Sequence, residues 1–326
     1  MNKKILVSIF AVVILAFVHP AEAQQPGKVL HIGFLSSGAS SASENIEVIR
    51  QRLRELGYVE GKNIAFEYRG AEGKLDRFPA LAAELVRLKV DVIVTQGTPA
   101  ATAAKNATKT IPIIMSGGTD PVATGLVQSL ARPGGNITGV TIMNEELAGK
   151  RLELLKETNP KVSRLGVLWN PVNPGSAVVF KQTQAAAQEL SLSLQSLELQ
   201  TVNDLQGAFD AATRSGVNGL VLLATAPINN HLKLVADLAV KNRLPSIYDR
   251  SEFVEAGGLM SYGPNVTNMA RRAATYVDKV LKGANPGDLP VERPTKFDFV
   301  INLKTAKQIG LTIPQSVLYR ADKVIK

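Results

Sequence analysis

The chain has 326 residues, of which 45% are hydrophobic, 20% charged and 5% aromatic, with 37 Lys+Arg against 28 Asp+Glu and no cysteine. That length points to about two domains of roughly 100–200 residues each, and the composition excludes disorder, collagen and coiled coil. The missing cysteine excludes disulfides, thiolate metal sites, a cysteine nucleophile and a lipid-modified cysteine anchor. A net charge of +9 raises nucleic acid as a partner. The Lys and Arg are spread along the chain, however, with Arg271-Arg272 the one notable doublet. A solvated basic surface is expected, with no nucleic-acid partner.

Met1-Asn2-Lys3-Lys4 is a basic start, Ile5–Val18 an uncharged run, and Ala21-Glu22-Ala23 a small-residue ending. This is the pattern of a cleaved secretory signal peptide over residues 1–23. A membrane anchor is the competing reading, but the run is shorter than the ~20 residues a spanning helix needs. With no cysteine to carry a lipid, the expected location is free in a Gram-negative periplasm.

Strand and helix signals then alternate. Val29–Leu35 is a short apolar run, and residues 43–56 form an amphipathic helix with Ile46, Ile49, Leu53 and Leu56 on one face, stopped by Gly57. Residues 64–69 alternate as a half-buried strand, and residues 74–88 are helical, with Leu81, Leu85 and Leu88 in phase. Val90–Thr95 and Ile111–Met115 are apolar runs of strand length, separated by an Ala-rich helix at 99–107. Short buried strands alternating with helices predict a parallel sheet covered on both faces.

The order repeats. Residues 28–35 resemble 161–168, residues 90–99 resemble 217–227, and residues 111–115 resemble 244–248. Gly33 to Gly166 and Pro112 to Pro245 are both 133 positions apart. A period this long means two similar lobes and not a solenoid. The tail adds a strand at 258–263, an amphipathic helix at 264–282, a strand at 297–302 and a short helix at 303–309. These elements are read as returning to the first lobe and crossing back. The fold class is therefore α/β, with two doubly wound parallel-sheet lobes joined by three hinge crossings. The expected division is 24–142 with 263–291 for the first lobe and 143–262 with 292–326 for the second. The Gly-rich stretch 132–139 has neither phosphate-loop spacing nor G-x-G-x-x-G, and is read as a turn feeding a hinge strand at Gly139–Met143.

Several stretches together resemble a known family. They are Ile32–Leu35, Leu53–Ile64, Asp91–Thr95 with Gly97-Thr98, Ile111–Ile113 with Thr119–Val122, Pro133–Gly139 and Ser261–Gly263. In order and spacing they resemble the substrate-binding components of ABC transporters with the type I periplasmic-binding-protein fold, a family that includes tryptophan-binding members. The resemblance runs from about Val29 to Leu318. It implies capture of a small polar ligand, an amino acid or related compound, between two lobes. It also implies delivery to a permease with its ATPase, contact with the membrane only through that permease, a monomeric state, and no cofactor or metal.

In open parallel sheets, ligands bind beyond the carboxyl ends of the strands. Those ends supply the candidate residues Ser36, Ser37, Gln96, Gly97, Thr98, Thr119, Asp120, Trp169, Asn170, Thr225, Tyr248, Asp249, Ser261 and Tyr262. Thr98-Pro99, Asp120-Pro121 and Asn173-Pro174 read as an N-cap followed by proline at the first helical turn. The same helix starts could present N–H groups to a ligand carboxylate. Asp120 reads either as such a cap or as a counter-charge for a ligand ammonium, and Asp249 is the other candidate for that role. Trp169, Tyr248 and Tyr262 read either as stacking partners for a planar ligand or as core residues.

Catalytic signals are thin. After residue 23 the histidines are His31 and His231, and no H-E-x-x-H or G-x-S-x-G occurs. An enzyme is not expected. A repressor on this fold would carry a DNA-binding helix-turn-helix where the signal segment stands. A periplasmic sensor that presents its ligand to a membrane receptor stays as the alternative function.

Overall fold

The computed structural model describes residues 29–38, 44–143, 146–223, 228 and 231–326. The expected signal segment and the turn at Thr225 lie outside those residues. Among the described residues the strands form two sheets.

The first sheet runs in the order β2-β1-β3-β4-β5, all parallel, from β1 (Leu30–Ser36), β2 (Ile64–Gly70), β3 (Val92–Thr95), β4 (Ile113–Ser116) and β5 (Ile137–Val140). Side chains alternate across each strand, so each face of the sheet carries its own core. Ile32, Phe34, Val92 and Val94 meet α1 (Glu44–Glu55) on one face. Leu35, Ile93, Ile113 and Met115 meet α2 (Phe78–Arg87) and α3 (Thr98–Ala107) on the other. A 3-10 turn, Leu75–Arg77, leads into α2.

The second sheet runs β12-β11-β10-β9-β8-β6-β7. Its strands are β6 (Arg164–Trp169), β7 (Ser193–Glu198), β8 (Gly219–Leu222), β9 (Ser246–Tyr248), β10 (Met260–Pro264), β11 (Phe297–Asn302) and β12 (Lys323–Ile325). The part β7-β6-β8-β9-β10 repeats the strand order of the first sheet, and β11 joins antiparallel to β10. Its helices are α4 (Ala148–Thr158), α5 (Pro174–Glu189), α6 (Asp204–Arg214), α7 (Leu232–Lys241) and α8 (Ser251–Glu255). After α9 (Val266–Leu281) the chain adds α10 (Leu303–Gln308) and α11 (Gln315–Leu318). The repeat reaches into the packing. A Cβ at Gly33 would lie 2.9 Å from Leu85 and 3.3 Å from Val90, and one at Gly166 would lie 2.7 Å from Leu197 and 3.1 Å from Val217. The aligned glycines thus pack against the aligned valines Val90 and Val217 in both lobes.

The chain crosses between sheets three times, after β5, between β10 and α9, and before β11. The crossings are hydrogen-bonded to one another. Thr141 N–H donates to the Glu292 carbonyl at 3.0 Å, and Asn265 N–H donates to the Lys296 carbonyl at 3.0 Å. The strand read over Gly139–Met143 is displaced. Ile137–Val140 pairs with β4 inside the first sheet, and the crossing begins only at Thr141. Helix α9, late in sequence, packs on the first sheet through Ala270, Ala273, Ala274, Tyr276 and Val277.

Candidate functional site

A cavity of about 170 Å³ lies between the lobes. A single water needs only about 10–15 Å³ by this kind of measure, so the cavity takes a larger molecule. From the first lobe come Ser37 and Asn45, Leu75 and Phe78, Gln96 to Pro99, Ser116 to Thr119, and Ile142. From the second come Asn173, Ser176 and Val179 of α5 and its cap, Leu223 after β8, and Asp249 and Arg250 after β9. Pro264, Val266 and Met269 line it at the second crossing.

Among the helix starts that reach this space, those of α3 and α5 differ in their capping. Helix α5 is capped by Asn173, whose Oδ1 accepts from Gly175 N–H at 3.0 Å and from Ser176 N–H at 3.5 Å. Helix α3 has Gly97 as its cap residue and no side-chain cap. The first-turn N–H groups of a helix have no partner inside it, and its positive dipole end favours an anion. At α5 the chain's own asparagine takes up those donors. At α3 the start is left uncapped at the cavity wall. Thr98 is therefore not the N-cap its Thr-Pro pair predicts. It stands one residue inside the helix, and its Oγ1 accepts from Thr119 N–H at 3.0 Å instead. Gly97 makes this possible with φ of 84°, a left-handed backbone that glycine adopts freely.

Across the cavity stands Asp249, 2% exposed. Arg250 follows it, with its guanidinium 4.0 Å from Glu252 and over the Phe253 ring at 5.6 Å. Leu75, Phe78, Val179 and Leu223 supply apolar wall from both lobes. An uncapped helix start, a buried carboxylate and apolar walls together suit a zwitterion with an apolar portion.

Of the candidates read from sequence, Ser37, Gln96, Gly97, Thr98, Thr119 and Asp249 line the cavity. The rest of the described ones do not. Asp120 Oδ1 accepts from Val122 N–H at 3.2 Å and Ala123 N–H at 2.9 Å, closing a turn that no helix follows. Trp169 stacks on Phe180 at 4.1 Å and donates its indole N–H to Ser196 Oγ at 2.8 Å, so it is held at the edge of the second-lobe core. Tyr248 is fully buried against Phe253, and burial pushes its hydroxyl up to about 12. Tyr262 packs with Phe297 and Phe299. Ser36 and Ser261 are buried within their strands, and Asn170 Oδ1 accepts from Val172 N–H at 2.9 Å. Thr225 lies outside the described residues.

Sequence reasoning missed Leu75 and Phe78. They follow the carboxyl end of β2, a strand whose exit turn belongs with the others under the same rule. Asn45, Arg250 and the residues at the second crossing carried no signal of type or spacing. Among the described residues no group of three or more His, Cys, Asp or Glu is placed to hold a metal ion, and no helix is long and apolar enough to cross a membrane.

Comparison with known proteins agrees with this architecture. A family model described as ABC transporter substrate binding protein matches residues 34–325. The chain is 30% identical over 263 residues to a tyrosine-binding protein of Clostridioides difficile strain R20291, covering 79% of this chain and 74% of that protein. A Streptococcus pneumoniae ABC domain in complex with L-Trp superposes with a TM-score of 0.85 at 29% identity, covering 91% of this chain and 100% of the other. The ligand-free, open structure of a substrate binding protein with adhesive properties from Clostridium difficile superposes with a TM-score of 0.63 at 26% identity, covering 91% of this chain and 99% of the other. With two parallel-sheet lobes, three crossings and a match over nearly its whole length, this chain belongs to the ABC transporter substrate-binding proteins and has the type I periplasmic-binding-protein fold.

Proposed function

We propose that this chain is the ligand-capturing component of an ABC importer. It is exported to the periplasm, closes its lobes on an α-amino acid, and hands that ligand unchanged to a permease driven by its ATPase. The observation that carries the reading is the pairing across the cavity of an uncapped helix start at Gly97-Thr98 with the buried carboxylate of Asp249. The helix start takes the ligand carboxylate and Asp249 takes the ammonium. Ser37, Gln96 and Thr119 complete the polar wall, and Leu75, Phe78, Val179 and Leu223 receive the side chain. The tyrosine and L-Trp of the two relatives support an amino acid with a large apolar side chain.

A thermal-shift screen over amino acids, sugars and small carboxylates tests the reading. A ligand present at 100 times its Kd stabilises the folded state by about 2.7 kcal/mol. An amino acid is expected to raise the midpoint. A response to sugars alone would overturn the proposal.

A further inference from the structure

Gly175 is the second residue of α5, in ordinary helical backbone, so nothing in its conformation calls for glycine. In an α-helix glycine is a poor choice, since alanine there is more stable. What surrounds Gly175 explains it. A Cβ built there would lie 2.6 Å from Thr98 Oγ1, 3.0 Å from Thr119 Cβ and 3.2 Å from Thr119 Oγ1, all in the opposite lobe. Neither threonine yields easily. Both are buried and β-branched, and Thr98 Oγ1 is pinned by Thr119 N–H at 3.0 Å.

We propose that Gly175 is the position that lets the two lobes meet. Its missing side chain allows α5 to dock on the Thr98–Thr119 corner and seal the cavity, so it sets ligand affinity through closure. The glycine then serves the closed arrangement and neither lobe by itself. Superposition on the L-Trp complex, closer than on the open ligand-free relative, accords with a structure whose lobes are in contact. The inference rests on the clamp reading and on no particular ligand.

The test exploits the absence of cysteine. Val122 and Val172 are 42% and 58% exposed and belong to opposite lobes. Each is three residues from a contact residue, Thr119 or Gly175, which is at most ~11 Å of chain. Val122→Cys and Val172→Cys are combined and treated with a flexible bismaleimide in ligand-free protein, so that the cross-linking rate reports transient closure. The control is Gly207→Ala, a helical glycine in α6 with nothing within 4 Å of an added Cβ. Gly175→Ala is expected to slow cross-linking at least tenfold with no fall in thermal midpoint, while Gly207→Ala matches the parent.

Equal rates in Gly175→Ala and the parent would overturn the proposal. So would a parent that is never cross-linked, or a lowered midpoint, which would make Gly175 a fold residue. L-Tyr and L-Trp are then added as probes. If neither alters the parent's rate, the amino-acid reading loses support while the result on Gly175 stands.

Discussion

At the residue scale, two aspartates that look interchangeable in sequence separate by their surroundings. Asp120 spends one carboxylate oxygen on the N–H groups of Val122 and Ala123 and does not line the cavity. Asp249 directly follows β9 at the cavity wall, almost out of reach of water. A charge-assisted hydrogen bond contributes about 1.5–3 kcal/mol, and each 1.4 kcal/mol is tenfold in affinity. Asp249→Asn should therefore weaken amino-acid binding by about 10- to 100-fold in titration calorimetry. Asp120→Asn keeps an acceptor oxygen for both N–H groups and should change Kd by less than about twofold. A loss confined to Asp120→Asn would reverse the assignment. The same scale explains why Trp169 reads two ways in sequence. Its position at a strand end is common to ligand stackers and to core-edge residues, and the structure stacks it on Phe180, eleven positions on.

At the element scale, the last parallel strand of each lobe presses on its neighbour through a glycine. A Cβ at Gly139 in β5 would lie 2.3 Å from the Met115 carbonyl oxygen, and one at Gly263 in β10 would lie 1.8 Å from that of Asp249. These obstacles are backbone and cannot rotate aside, unlike the leucine ends facing Gly33 and Gly166. Overpacking costs about 1–3 kcal/mol where side chains can shift. Gly263→Ala should reach or exceed the top of that range in urea unfolding, with Gly166→Ala below it. A smaller loss for Gly263→Ala than for Gly166→Ala would contradict this ordering. The strands and helices themselves were legible because each lobe buries both sheet faces, which makes runs such as Val92–Thr95 continuously apolar. The strand expected at Gly139–Met143 lies at Ile137–Val140, since a strand leaving a sheet and a crossing read alike in sequence.

At the scale of the molecule, α9 closes the first lobe from more than two hundred residues away. Its Arg271 holds Glu55 of α1 through two hydrogen bonds of 2.7 and 3.2 Å, and Arg52 adds a third at 2.8 Å. The two arginines bring the Glu55 carboxyl down from 4.5 to about 2. A carboxylate depressed in the folded state contributes stability that is full above its unfolded pKa and is lost as pH falls through the folded one. The advantage of the parent over Glu55→Gln should thus be constant above pH 5 and shrink from about pH 4.5 towards 2. Melting curves across that range at low salt check it, since exposed pairs are screened. A gap that persists undiminished at pH 2 would show that the charge plays no part.

The sequence by itself determined the two-lobe α/β plan. Apolar period, helix stops and the spacing of Gly33 from Gly166 are local or self-similar features, and local physics sets them. It also gave the strand ends from which candidate site residues are read, and six of those residues line the cavity. The tertiary structure decided which candidate residues share one cavity, because that depends on how the lobes meet. Capping divided the α3 and α5 starts, stacking engages Trp169, Tyr248 and Tyr262 with neighbouring rings, and the approach of α5 to Thr98 and Thr119 gave Gly175 its reason. The packing of Tyr262 on Phe297 and Phe299 and the approach of α5 to Thr98 and Thr119 join segments far apart in the chain, and no short window of sequence contains both partners.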